Sequence, residues 1–168
     1  NSPPLATVVN CIDLREPLNV MMNTGIGDLI PIRAAGNLVD SHIIKSIEIA
    51  CKQQGSRFIL LMGNSSNKIY LEALNEYMKN GYQNPDSLIA EALKAQQIPA
   101  KFEEKDLYTY ADLITRWSVK ESQKRIIKEN PYLRERISQG KLGLATAFFN
   151  RENGKIEFSE LYDSATVS

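Results

Sequence analysis

The sequence predicts an α/β protein with a mostly parallel central sheet flanked by helices and a C-terminal antiparallel strand. Two observations lead to this. Leu5 to Ile12 and Phe58 to Met62 are apolar, β-prone runs of strand length with little polar alternation, as expected of strands covered on both faces. Between them, Ile43, Ile47, Ala50 and Gln54 recur at helical spacing, and the second run breaks into the polar loop Gly63-Asn64-Ser65-Ser66-Asn67. Strand, helix, strand, polar loop is the grammar of an α/β sheet.

The elements follow in order. The first strand ends at Asp13, where polar residues begin. A helical stretch is expected from about Pro17 to Thr24, with Gly25 as its stop. Asp28 to Arg33 reads as a second strand and Ala34-Ala35-Gly36-Asn37 as a turn. Asp40 or Ser41 caps the next helix, which Gly55 ends. After the strand Arg57 to Met62, helices are expected over Ile69 to Lys79 and Pro85 to Gln96, then a loop from Gln97 to Leu107. A long helical region runs from about Tyr110 to Ile137, with a break expected near Pro131. Leu142 to Phe149 and Lys155 to Phe158 form a closing hairpin around Asn153-Gly154.

No repeat, low-complexity tract or linker divides the 168 residues, so one domain over 1–168 is expected. Twenty Lys and Arg balance twenty Asp and Glu, which gives no overall pull toward nucleic acid or an acidic membrane surface. Near-zero net charge also fits an oligomer whose surface is partly covered. No apolar run approaches the roughly 20 residues that span a bilayer. The N-terminus lacks a basic segment followed by an apolar one, so no signal peptide is expected; a first residue Asn1 leaves room for residues upstream. Two cysteines make no disulfide framework and favour a cytoplasmic compartment.

In open α/β sheets, ligands bind at the carboxyl ends of the strands. Three segments lie there: Cys11 to Arg15, Arg33 to Asn37, and Gly63 to Asn67. Cys11 is open to two readings, a thiolate favoured by Arg15 and opposed by Asp13, or a small buried hydrophobe. Asp13 and Arg15 are spaced to pair through a tight turn, as a functional pair or as a plain ion pair. His42, the one histidine, starts a helix and reads as solvated; Cys51 lies on or beside that helix's apolar face and reads as core.

In order and spacing these segments resemble the β-class carbonic anhydrases. The family's Cys-x-Asp-x-Arg is matched by Cys11-Ile12-Asp13-Leu14-Arg15. Its Gly-Asp, strand, Arg-Asn-Ala-Gly-Asn is matched by Gly27-Asp28 through Arg33-Ala34-Ala35-Gly36-Asn37. Its Ser-Leu-Glu-Tyr-Ala helix is matched by Ser46-Ile47-Glu48-Ile49-Ala50, and its C-terminal pattern by Gly143 to Phe158. The resemblance is strong over residues 5–67, weak through the middle, and recovers at the end. It implies a β-carbonic-anhydrase-like fold in which 69–107 is a divergent helical insertion.

The departure follows the third strand. The family has Gly-His-x-x-Cys-Gly there, whose His and Cys complete a zinc site with the first cysteine. This chain has Gly63-Asn64-Ser65-Ser66-Asn67-Lys68. Neutral amides are poor zinc ligands, and Cys11 is the one retained ligand position. The expectation is therefore no cofactor, with zinc only if an unusual site forms, and no zinc-dependent hydration of carbon dioxide. Leu14 replaces a small residue and is expected to crowd the pocket floor; Ala34 replaces an asparagine.

Asp13 and Arg15 stand as the retained catalytic dyad, and Cys11, Gly36, Asn64 and Asn67 as ligand-binding candidates. The resemblance implies a homodimer or higher oligomer, or a heteromer with an active homologue, in a binding, regulatory or assembly role. Two alternatives stay open. One is altered chemistry on a small anionic or carbonyl substrate, with Cys11 as nucleophile and an anion held by Arg15, the Gly36 turn and the amides of Ser65 to Lys68. The other is an active carbonic anhydrase with an unusual metal site.

Overall fold

The computed structural model describes residues 2–163. Residue 1 and residues 164–168, the two ends of the expected domain, lie outside them. Among the described residues, five strands form one sheet in the order β2-β1-β3-β4-β5: β1 Ala6–Cys11, β2 Leu29–Ala34, β3 Phe58–Asn64, β4 Gly143–Phe149 and β5 Ile156–Phe158. The first four run parallel, with Val9 opposite both Ile32 and Leu61, and Leu61 opposite Thr146. β5 returns antiparallel to β4, as the hairpin reading expects.

Strand periodicity divides the core. From β1 and β3, Val9, Ile59 and Leu61 join Leu144 on one face, under α2 (Ser41–Lys52), α5 (Leu107–Glu129) and α6 (Pro131–Ser138). Val8, Leu60 and Met62 join Ala145 and Ala147 on the other, with Leu14 and Leu18 against them. Only α1 (Leu18–Met21), four residues long, lies in the expected helix Pro17 to Thr24. Pro31 is exposed on the outer strand β2, where its missing N–H removes no inner ladder bond.

The break between α5 and α6 falls at Asn130-Pro131, where Asn130 caps α6 by accepting from the Leu133 N–H at 2.9 Å. Residues 69–107 contain most of α3 (Lys68–Lys79), all of α4 (Ser87–Ala95) and a short 3₁₀ turn, Glu104–Asp106, in the expected loop, joined by irregular segments. Tyr70, Leu74, Ile89 and Phe102 pack with Ala111 and Ile114 of α5 into a third cluster. Among the described residues, no helix is long and apolar enough to cross a membrane.

α5 presses closely on β3. A Cβ at Gly63 would stand 2.7 Å from Thr115 Cγ2 and 3.1 Å from Val119 Cγ2. Gly63→Ala is expected to lower stability by about 1–3 kcal/mol, as overpacking does. Thr115→Ser, which removes the nearer methyl, should recover part of that loss, and urea denaturation of the single and double variants measures both.

Candidate functional site

Parallel strands deliver β1, β3 and β4 to the same edge of the sheet, and the site forms where they leave it. At the end of β1, Asn10 Nδ2 donates to the carbonyls of Cys11 and Leu14 at 3.2 and 3.5 Å. Arg33 Nη1 donates to the Leu14 carbonyl from β2. These bonds fix the turn that carries Cys11, Asp13 and Arg15.

Cys11 is fully buried, and its Sγ accepts from the Asp13 N–H at 3.4 Å. Asp13 turns inward. Its Oδ2 accepts from Arg151 Nη1 at 2.8 Å, the Lys68 N–H at 3.1 Å and Asn64 Nδ2 at 3.4 Å. The expected Asp13–Arg15 pair is thus corrected. Arg151, arriving from the end of β4, takes the carboxylate, while Arg15 stays exposed on the rim. Arg151 also donates through Nε to Glu16 Oε1 at 3.2 Å and through Nη2 to the Asp13 carbonyl. Burial opposes its charge, but the bonds and charge of Asp13, then Glu16, outweigh burial and raise its pKa.

Asn64 and Asn67 are wholly buried beneath this layer. Asn67 Nδ2 donates to Asn64 Oδ1 at 3.4 Å, and Asn67 Oδ1 caps α3 by accepting from the Ile69 N–H at 3.0 Å. The loop amides offered to an anion are also engaged. Ser65 N–H donates to the Phe149 carbonyl at 2.8 Å, Ser66 N–H to Asp112 Oδ1 at 2.8 Å, and Lys68 N–H to Asp13. Burial raises the Asp112 pKa, while the Ser66 bond works against it. Two of those amides are thus taken by the protein's own carboxylates and a third by a backbone carbonyl.

Gly36 takes part in none of these bonds. Its φ of 69° suits glycine, its carbonyl accepts from the Tyr70 hydroxyl, and a Cβ there would meet that oxygen at 2.9 Å. Next to it, the Asn37 carbonyl accepts from Ser122 Oγ at 2.7 Å. Burial pushes the Tyr70 pKa up, Ser118 opposes it and neighbouring Cys11 adds to it, so Tyr70 stays a neutral donor. Leu14, expected on the pocket floor, is instead buried in the core with Leu18 and Met62. His42 is exposed in the first turn of α2 and Cys51 lies in its last turn, both outside the hydrogen bonds described above, and burial pushes the Cys51 thiol up to about 11.

Above the buried layer lies a cavity of about 420 Å3 lined by Asp13, Arg15, Glu16, Lys68 and Arg151. Sequence reasoning passed over Arg151 and Glu16 and offered Lys68 only through its backbone amide. The strand-end rule, extended to the fourth parallel strand, points at Arg151.

A family model described as carbonic anhydrase matches residues 6–156. Carbonic anhydrase 2 of Mycobacterium tuberculosis is 22% identical over 152 residues, covering 90% of this chain and 72% of that protein. Among solved structures, a tetrameric β-carbonic anhydrase from Sordaria macrospora aligns with a TM-score of 0.74 at 20% identity, covering 95% of this chain and 82% of the other. A Coccomyxa β-carbonic anhydrase in complex with acetazolamide aligns with a TM-score of 0.69 at 16% identity, over 94% and 72%. The fold is thus that of the β class. The chain belongs to the carbonic anhydrase family.

This membership corrects the expectation of no cofactor, because members of this family use zinc. Zinc is the metal the family brings to this chain, and its own side chains can be tested against it. At the three family ligand positions stand one buried thiol and two neutral amides, and each amide is already hydrogen-bonded within the protein. Among the described residues, no group of three or more His, Cys, Asp and Glu is placed to hold a metal. This donor set does not fit a three-ligand zinc centre.

Asn67 has two local tasks, capping α3 and bonding Asn64. Asn67→Ala is expected to lower stability by about 1–2 kcal/mol, read from the midpoint of chemical denaturation.

Proposed function

We propose that this chain is a carbonic-anhydrase-like protein that does not hydrate carbon dioxide by the zinc chemistry of its family and serves as a binding, regulatory or assembly subunit. One observation carries the reading. Asn64 and Asn67 stand where the family pattern has His and Cys, and both amides are built into the fold. An amide brings no charge to offset a dication, and the one histidine, His42, belongs to α2 and not to the segments that carry Cys11, Asn64 and Asn67.

Asp13 adds support, since Arg151 and not Arg15 is its partner. Full burial of Cys11 weighs against its use as a nucleophile, because neither a substrate nor a base has access to its sulfur. Residues 1–168 then act as one domain with 69–107 as a divergent helical insertion. The Sordaria macrospora relatives are described as tetrameric, which favours a homo-oligomer here, or a heteromer with an active homologue. Balanced charge favours a protein partner over nucleic acid, in the cytoplasm.

Stopped-flow hydration of carbon dioxide, with zinc supplied in excess, tests the reading. No acceleration over zinc in buffer is expected, and a protein-dependent rate that saturates with substrate would sink it. Native Cys11 is expected to resist iodoacetamide and to react only on unfolding, followed by peptide mass spectrometry; rapid alkylation would favour the altered-chemistry enzyme. Sedimentation should give a dimer or larger species, and a monomer at micromolar concentration counts against an assembly role.

A further inference from the structure

Arg151 is the most connected side chain at the strand ends. Its backbone N–H donates to Ser65 Oγ at 2.8 Å, and its guanidinium reaches Asp13, Glu16 and, at 3.5 Å, the Ser66 carbonyl. One residue at the end of β4 therefore holds both the loop after β1 and the loop after β3.

Its principal partner carries the connection further. Asp13 Oδ2 takes Asn64 Nδ2, Asn64 Oδ1 takes Asn67 Nδ2, and Cys11 Sγ takes the Asp13 N–H. All three positions of the family's ligand pattern thus lie in one hydrogen-bonded network, and Arg151 is the cation bonded to its Asp13 carboxylate. The Asp13 side chain is 8% exposed and that of Arg151 22%, so solvent does little to stabilise either charge. A carboxylate so enclosed requires a counter-charge. A planar guanidinium with five donors, charged at every accessible pH, meets that need and bridges several acceptors at once.

A metal ion bound by side chains from separate elements also ties those elements together, and its binding free energy becomes folding free energy. We propose that Arg151 performs this tie in the present chain. It cross-links the exits of β1, β3 and β4 through Asp13, and thereby sets the platform of the 420 Å3 cavity and leaves Arg15 at its rim. This rests on the reading that Asn64 and Asn67 are structural and not vestigial ligands.

Thermal unfolding of the full chain, with and without a zinc chelator, tests the proposal on wild type, Arg151→Met, Asp13→Asn and the double variant. Each single change should lower the midpoint by about 4–8 °C. The double should fall little further than the worse single, because one interaction is removed twice. The chelator should leave the wild-type midpoint unchanged. An Arg151→Met shift under about 1 °C, additive shifts, or a chelator effect as large as that of Arg151→Met would each overturn the tie.

If Arg151→Met does not fold, Arg151→Lys keeps the charge without the fork. It should fold with faster amide exchange at Ser66 and Lys68, and wild-type exchange there would overturn the proposal. Hydration activity in the wild type would defeat the proposed function while leaving these midpoints as they are, so the two failures are distinguishable.

Discussion

Four parallel strands leave the sheet at one edge, and that constraint organises the molecule. Parallel pairing buries β1 and β3 on both faces and sends their polar exits to the same place. Those exits must satisfy backbone groups and enclosed side chains without a covering helix of their own. The answer here is dense internal bonding: Asn10 and Arg33 under the first turn, Asp112 on the loop after β3, and Arg151 across the gap. Beyond the direct bond from Asp112 of α5, the helices also serve this edge by packing. α5 fixes the height of β3 by its contact at Gly63, and Tyr70 of α3 holds the Gly36 turn from behind.

The site that results is polar and charged at the rim and closed beneath. Arg15 and Lys68 face the cavity, whereas Cys11, Asn64 and Asn67 lie under the Asp13–Arg151 pair. The chain therefore keeps the family's architecture with asparagine at two of the family's ligand positions. Between that layer and the rim, the Asp13 carboxylate and the Arg151 guanidinium pair with each other.

Much of this was legible in the sequence, for physical reasons that differ by element. β1, α2 and β3 announce themselves because burial on both faces of a strand, or on one face of a helix, writes its period directly into the residues. The break at Pro131 is equally local, since the residue itself cannot continue the helix. α1 was overestimated because four residues suffice to place Leu18 in the core, and little else in Pro17 to Thr24 is buried. At the site, residue types at the strand ends were legible and their pairing was not. Asp13 has an arginine two positions away and another 138 away, and it bonds the distant one. Only the return of β4 beside β3 brings that partner within reach, and no local spacing encodes it.

The Asn64–Asn67 contact also bears on how this loop can change over generations. Each amide is useful because the other is present: Asn67 holds Asn64, Asn64 holds Asp13, and Asn67 begins a helix besides. Replacing either one alone removes the bond they share, so the stability effects of changes at the two positions are coupled and not additive. A change at one position therefore alters the cost of a change at the other.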